Sequence, residues 1–319
     1  MRSPRNKTLT LTDEQRQQLA ADIIVGKVPS EWRRTDDFAD KIVNADMTQV
    51  IASIPDGMAD LIIIDPPYNL RRQFGTMTFG RASTENSEQY LRSWFHDVCR
   101  KLKPDGSLYM CGDWRCTSAL QRVIEDEGLA VMNRITWQRD KGRGAATNWK
   151  NAMEDIWFAV RDPQNYHFDL DEVKIRRRVR APYRTDGQPK DWEQTAGGKF
   201  RTTHPSNFWD DITIPFWSMP ENTDHPTQKP EKLYAKLVLA SSREGDLVFD
   251  PFMGSGTACV VAKKLGRRYL GIELDREYCL WAAARLRAAD KDRSIQGYSD
   301  GVFWERNTQA EQGKLTIRN

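Results

Sequence analysis

Asp65-Pro66-Pro67-Tyr68 sets a carboxylate, two residues without a backbone N–H and an aromatic ring in immediate succession. Each proline fixes its own φ and disfavours the α conformation in the residue before it, so the chain runs stiff and extended here. The local backbone then offers mainly carbonyl acceptors. A carboxylate, a carbonyl and a ring presented together suit a planar amine, whose N–H groups the oxygens accept and whose plane the ring stacks on. For this tetrapeptide alone, a strand-ending turn with a core tyrosine is an equal alternative.

A second stretch, Asp250-Pro251-Phe252-Met253-Gly254-Ser255-Gly256-Thr257, is a glycine loop, and Glu273 follows Gly254 by 19 residues. Glycines let a loop backbone approach a ligand closely, and an acid at the end of the next strand can take both hydroxyls of a ribose. A nicotinamide-binding unit is the obvious competitor. Against it, the third glycine of that fingerprint is replaced by Cys259, and Phe252 places an aromatic beside the ligand instead of a bare pyrophosphate turn.

These groups need rigid elements to hold them. Residues 61–64, Leu-Ile-Ile-Ile, read as a strand buried on both faces that ends at Asp65. Residues 246–250 read as a strand, 258–265 as a helix and 269–272 as the next strand. Residues 41–44 form a short strand with Asp46 in the loop beyond it, and 51–55 a short helix. Helical spacing covers 88–102 and 119–127, residues 103–106 read as a turn, and strand patterns cover 107–110, 130–137 and 155–160. Thr12 and Gln15 have capping-box spacing and open a helix through residue 24. Strands alternating with helices predict an α/β fold, a mostly parallel twisted sheet with helices on both faces, which binds ligands at its strands' C-terminal ends.

The composition narrows the class. A chain of 319 residues with 39% hydrophobic residues holds one large domain, or one with an insertion. The net charge is only +3, so a nucleic-acid surface must be a local patch. Residues 174–201 supply one, with nine Lys/Arg against three Asp/Glu. Trp192, Phe200, Phe208, Trp209, Phe216 and Trp217 lie in or just after it, an interleaving that suits phosphate contact and base stacking. A solvated charged face is the plainer alternative. Arg139, Arg143, Arg176, Arg177, Arg178, Arg180, Lys199 and Arg201 are the candidate DNA contacts. Five cysteines without metal-ligand spacing suit reduced thiols in a cytoplasm, and no metal is expected. No stretch has the length and apolarity of a membrane span.

Together these residues resemble the β group of DNA adenine-N6 amino-methyltransferases that use S-adenosyl-L-methionine. Asp65-Pro66-Pro67-Tyr68 matches that family's catalytic motif and Phe252-Met253-Gly254-Ser255-Gly256 its cofactor motif. His225-Pro226-Thr227-Gln228-Lys229-Pro230 resembles the segment before the cofactor motif. The order of catalytic motif, basic insertion and cofactor motif is the β arrangement, and the match covers most of residues 40–285. The resemblance implies the methyltransferase fold in permuted order, divided into an N-terminal helical extension (1–40), a catalytic and cofactor domain (41–139 and 222–290), a target-recognition insertion (140–221) and a C-terminal tail (291–319). It assigns Asp65, Pro66, Pro67 and Tyr68 to catalysis on a flipped-out adenine. It assigns Asp46, Asp65, Asp224, His225, Lys229, Phe252, Gly254, Ser255, Gly256, Thr257 and Glu273 to the cofactor. Double-stranded DNA is the implied partner, with no obligate protein partner and a homodimer left open. Over the whole chain the likeness is to a restriction-modification enzyme acting on GAATTC. A cytosine-N4 methyltransferase and a noncatalytic DNA-binding module are the alternatives.

Overall fold

Leu61, Ile62, Ile63 and Ile64 are all fully buried, and they alternate between two hydrophobic clusters on opposite sides of one sheet. That double burial makes the strand a central one. The computed structural model describes residues 3–29, 32–67, 84–139, 147–179, 182–195 and 197–305, together with the backbone of the short strands Arg72–Phe74 and Met77–Phe79. In chain order the strands of the large sheet are β1 (Ile23–Val25), β2 (Lys41–Asn44), β3 (Ala59–Ile64), β4 (Leu102–Gly112), β5 (Ala130–Gln138), β6 (Met153–Val160), β7 (Phe208–Trp209), β8 (Leu247–Asp250) and β9 (Arg268–Glu273). Their spatial order is β1-β2-β9-β8-β3-β4-β6-β5-β7. From β1 to β4 the neighbours run parallel, β6 is antiparallel to β4 and β5, and β7 runs parallel to β5.

The helices are α1 (Asp13–Leu19), α2 (Thr84–Cys99), α3 (Thr117–Asp126), α4 (Glu231–Ser241), α5 (Thr257–Lys264) and α6 (Arg276–Ala289). Leu91 and Phe95 of α2 and Leu120 of α3 meet Ile62, Ile64 and Phe249 on one face. Leu237 of α4, Val261 of α5 and Leu280 of α6 meet Leu61, Ile63 and Val248 on the other. This is the α/β architecture expected from the sequence.

Three local expectations are corrected. The helix opened by Thr12 ends at Leu19, and after a 3-10 turn (Ala20–Asp22) the residues Ile23–Val25 form β1, parallel to β2. Branched side chains there favour an extended edge strand over a further helical turn. Residues 103–106 do not separate two elements. They lie inside β4 as an irregularity, where the register jumps from Ala59 opposite Leu102 to Leu61 opposite Ser107. The boundaries drawn at 139 and 221 also cut through the large sheet, since β6 is one of its inner strands and β7 its edge.

A second, five-stranded sheet carries the basic segment, in the order Glu193–Thr195, Gly198–Thr203, Ile175–Arg178, Val302–Trp304 and Tyr298–Ser299. Val302–Trp304 pairs in parallel with Ile175–Arg178. The segment expected as a tail therefore completes the sheet of the insertion.

Candidate active site

After β3 the chain moves outward through α2 to β4, and after β8 it moves the other way through α5 to β9. β3 and β8 are hydrogen-bonded neighbours, with Val248 opposite Leu61 and Phe249 opposite Ile62. The divergence opens a crevice beyond their C-terminal ends, where open parallel sheets take ligands. A cavity of about 460 Å³ fills it, and its lining includes Asp46, Asp65, Pro66, Phe252, Gly254 and Glu273. Two motifs 185 residues apart by number thus share one pocket because their strands are adjacent.

One wall of the cavity is built from the glycine loop and β9. Glu273 ends β9 and accepts the N–H of Gly254 at 2.9 Å on one carboxylate oxygen and that of Asp275 at 2.8 Å on the other. Burial pushes its carboxyl up from 4.5 to about 7, against those two donors. Gly254 has φ +52°, and a Cβ there would lie 2.9 Å from His225 Nε2, so the loop and the histidine close on each other only because the residue is glycine. The Phe252 ring meets Trp94 of α2 edge-on, with centroids 4.8 Å apart. His225, also in the lining, lies edge-on to Tyr278 at 4.5 Å. Asp46 caps the short helix Met47–Val50, accepting from the N–H and hydroxyl of Thr48 at 2.9 and 2.7 Å.

Two cofactor expectations stand elsewhere. Asp224 is exposed and outside the cavity lining, and Gly256 turns the loop into α5 with φ +79°. A Cβ at Gly256 would lie 2.6 Å from that of Ala282, so this glycine serves close helix contact.

On the opposite wall Asp65 Oδ2 accepts from Lys229 Nζ at 2.5 Å. The same ammonium lies 3.3 Å from Glu154 Oε2, and Glu154 Oε1 pairs with Arg139. Burial draws the Lys229 ammonium toward neutrality, but Asp65 and Glu154 outweigh it and hold the group above the ordinary lysine range. Asp250, at the end of β8, is buried and pushed well up by desolvation, and its Oδ1 accepts the N–H of Phe252 at 3.0 Å, fixing the loop's start.

Tyr68, Arg143 and Arg180 lie outside the described residues. The other basic candidates are engaged within the protein. Arg176 bonds Glu193 at 3.1 Å and lies over the rings of Phe200 and Trp304. Arg177 pairs with Asp210, Arg178 lies over Phe200, Lys199 over Trp192, and Arg201 pairs with Asp191 at 3.2 Å. Trp192, Phe200 and Trp209 are buried, so half of the aromatic interleaving is core, while Phe208 and Trp217 are exposed.

Reading from sequence missed Glu154 and Arg285. Arg285 of α6 is buried and donates to the Ser255 carbonyl at 2.8 Å, the Thr257 hydroxyl at 3.0 Å and Glu231 at 3.0 Å, so it ties the glycine loop to α4. The available signal was a charged residue inside a pattern that otherwise buries.

The family profile described as DNA methylase matches residues 59–284. Type II methyltransferase M.HpaI of Haemophilus parainfluenzae is 31% identical over 247 residues, covering 77% of this chain and 74% of that protein. DNA adenine methyltransferase YhdJ of Escherichia coli (strain K12) is 31% identical over 262 residues, 79% of this chain and 84% of that one. Among solved structures, the cytosine-N4-specific PvuII DNA methyltransferase superposes with a TM-score of 0.58 at 19% identity, covering 77% of this chain and 85% of that one. The M1.HpyAVI–SAM complex superposes with a TM-score of 0.54 at 23% identity, covering 77% and 98%. The structural likeness establishes the fold. The profile match spans both strands that frame the cavity, and with two relatives at 31% identity over most of its length this chain belongs to the N6/N4 DNA methylase family.

Proposed function

We propose that this DNA methyltransferase moves a methyl group from S-adenosyl-L-methionine to the N6 amine of an adenine flipped out of duplex DNA. The observation that carries this reading is the position of Asp65 and Pro66 on the wall of the cavity that also holds Glu273, Phe252 and Gly254. The cavity fits the cofactor. Glu273 offers acceptors for ribose hydroxyls, Phe252 an apolar wall, and Gly254 a backbone surface with no Cβ in the way. When bound, S-adenosyl-L-methionine supplies an electrophilic sulfonium methyl.

The exocyclic amine of adenine is a poor nucleophile because its lone pair is delocalised into the ring. Asp65 and the Pro66 carbonyl accept its two hydrogens. Held in this way, the nitrogen becomes tetrahedral and its lone pair localises toward the methyl group. Tyr68 stacks on the base. Forming the new C–N bond would break the methyl group's bond to sulfur and leave the cofactor as its neutral thioether, and the Asp65 carboxylate would take the amine proton that is lost. No covalent enzyme intermediate is required, so catalysis rests on orientation and electrostatics. The target atom is out of reach inside a duplex, which requires base flipping.

An aspartate before Pro66-Pro67-Tyr68 supports adenine over cytosine, as does the name of the relative YhdJ. The cytosine-N4 specificity of a structural neighbour keeps the second substrate testable. The sequence-wide resemblance supports GAATTC as the recognition site, and protection of host DNA from a cognate endonuclease as the purpose. All five cysteines are buried and unpaired, which supports a cytoplasmic setting. Among the described residues no helix is long and apolar enough to cross a membrane.

Asp65→Asn tests the assignment. It keeps the shape and removes the anionic acceptor, so single-turnover methyl transfer falls by about 10²–10⁴-fold while cofactor affinity changes by less than about tenfold. Wild-type turnover in that variant would overturn the role.

A further inference from the structure

Glu154 is the second residue of β6, a strand buried at every position after its first, and its side chain is buried. It stands between two cations, with Arg139 on Oε1 and Lys229 Nζ 3.3 Å from Oε2. Lys229 in turn lies 2.5 Å from Asp65 Oδ2. Four charges of alternating sign thus run inward from β5 through β6 and the segment before α4 to the end of β3. Lys229 and Glu154 are each only 4% exposed, so water screens the middle of this line little.

The order of signs matters for chemistry. An ammonium serving Asp65 alone would pull electron density from the carboxylate and weaken it as an acceptor of amine hydrogens. A second carboxylate on the same ammonium divides that pull. Arg139 then balances Glu154, so the line as a whole carries no net charge. We propose that Glu154 is a positioning residue for methyl transfer: by holding the Lys229 ammonium between two carboxylates, it preserves the acceptor strength and orientation of Asp65.

This rests on Asp65 being the amine acceptor. Among the described residues, the other titratable groups that face the line are Cys111 on β4, Tyr234 on α4 and Asp250 on β8. Burial pushes all three up toward their neutral forms, so these three do not compete with the two carboxylates for Lys229.

The test is Glu154→Gln in the full chain, assayed by single-turnover methyl transfer to duplex DNA across pH. With Glu154 neutral, the Lys229 ammonium bears more strongly on Asp65, and the carboxylate becomes both harder to protonate and weaker as an acceptor. The plateau rate then falls about tenfold or more, and the acid limb of the pH profile moves to lower pH. Melting temperature falls, as for any broken buried ion pair, but affinity for cofactor stays close to wild type, and Glu154→Asp recovers part of the rate. If Glu154→Gln alone does not fold, the pair Arg139→Gln with Glu154→Gln removes both opposed charges and must show the same shift of the limb. An unmoved limb and plateau would overturn the proposal, and so would a rate loss matched by lost cofactor affinity with the limb unmoved. Asp65→Asn in the same assay separates the failures. If that variant turns over, the amine-acceptor assignment is wrong; if it is inactive while Glu154→Gln behaves as wild type, only the role of Glu154 falls.

Discussion

At Glu273 the spacing in the sequence identified the residue but not its protonation. Nineteen positions after Gly254, it was legible as an acid at a strand end beside the glycine loop. Its burial against the glycine loop, which lifts the carboxyl to about 7, exists only in the folded chain. The consequence for stability has a definite sign. The unfolded chain ionises this group near 4.5 and the native one near 7, so the native state binds more protons in between. Its contribution is complete below pH 4.5 and is lost as pH rises through 7. Glu273→Gln removes that titration. Melting curves at pH 5 and pH 8 should show wild type losing ground to the variant at the higher pH. Calorimetry at pH 8, where the native carboxyl is ionised, should show the variant binding cofactor about ten- to a hundredfold more weakly, the cost of losing a charged acceptor. Parallel pH dependences, or unchanged affinity, would contradict this account. Lys229 and Asp65 mark the opposite case. They are 164 positions apart, and nothing in either local pattern announces their contact.

Among the elements, legibility followed length and apolar density. β3, β8, α5 and β9 were readable because runs of branched aliphatics and a glycine loop constrain the backbone locally. The two-residue β7 and the three-residue β1 are set by partners already in place, which no window of sequence contains. The strand Ile175–Arg178 was readable as basic but not as structural. Arg176 and Arg178 point to the Phe200 ring, while Arg177 pairs with Asp210. The arginines of the insertion therefore divide by role. Arg176, whose side chain is 13% exposed, lies over Phe200 and Trp304, and Arg176→Ala should lower stability by about 1–3 kcal/mol in denaturant titrations. Arg201, at 45% exposure, holds a surface ion pair with Asp191 that a phosphate could replace. Arg201→Ala should leave stability unchanged and reduce the slope of log affinity against log salt by about one. Equal behaviour of the two variants in both measurements would refute the division.

Across the whole molecule, motif order was enough to place the fold class and the cavity, because Asp65-Pro66-Pro67 and the glycine loop each follow a strand and the two strands are neighbours. The limits of the parts were less legible. Val302–Trp304 joins the insertion's sheet beside Ile175–Arg178, and Arg178 bonds Glu305 across 127 positions. At the other end, Lys7 donates to the Trp217 carbonyl and Leu9 to that of Asn222, so the N-terminal segment also braces the end of the insertion. Such long-range pairing ties the basic segment's sheet and the large sheet together through both ends of the described chain. The most direct measurement uses cofactor labelled on its methyl group, incubated with the full chain and duplex DNA, followed by digestion and mass spectrometry of the nucleosides. The account predicts label in N6-methyladenine. Label in N4-methylcytosine, or none in DNA while the cofactor remains bound, would contradict it.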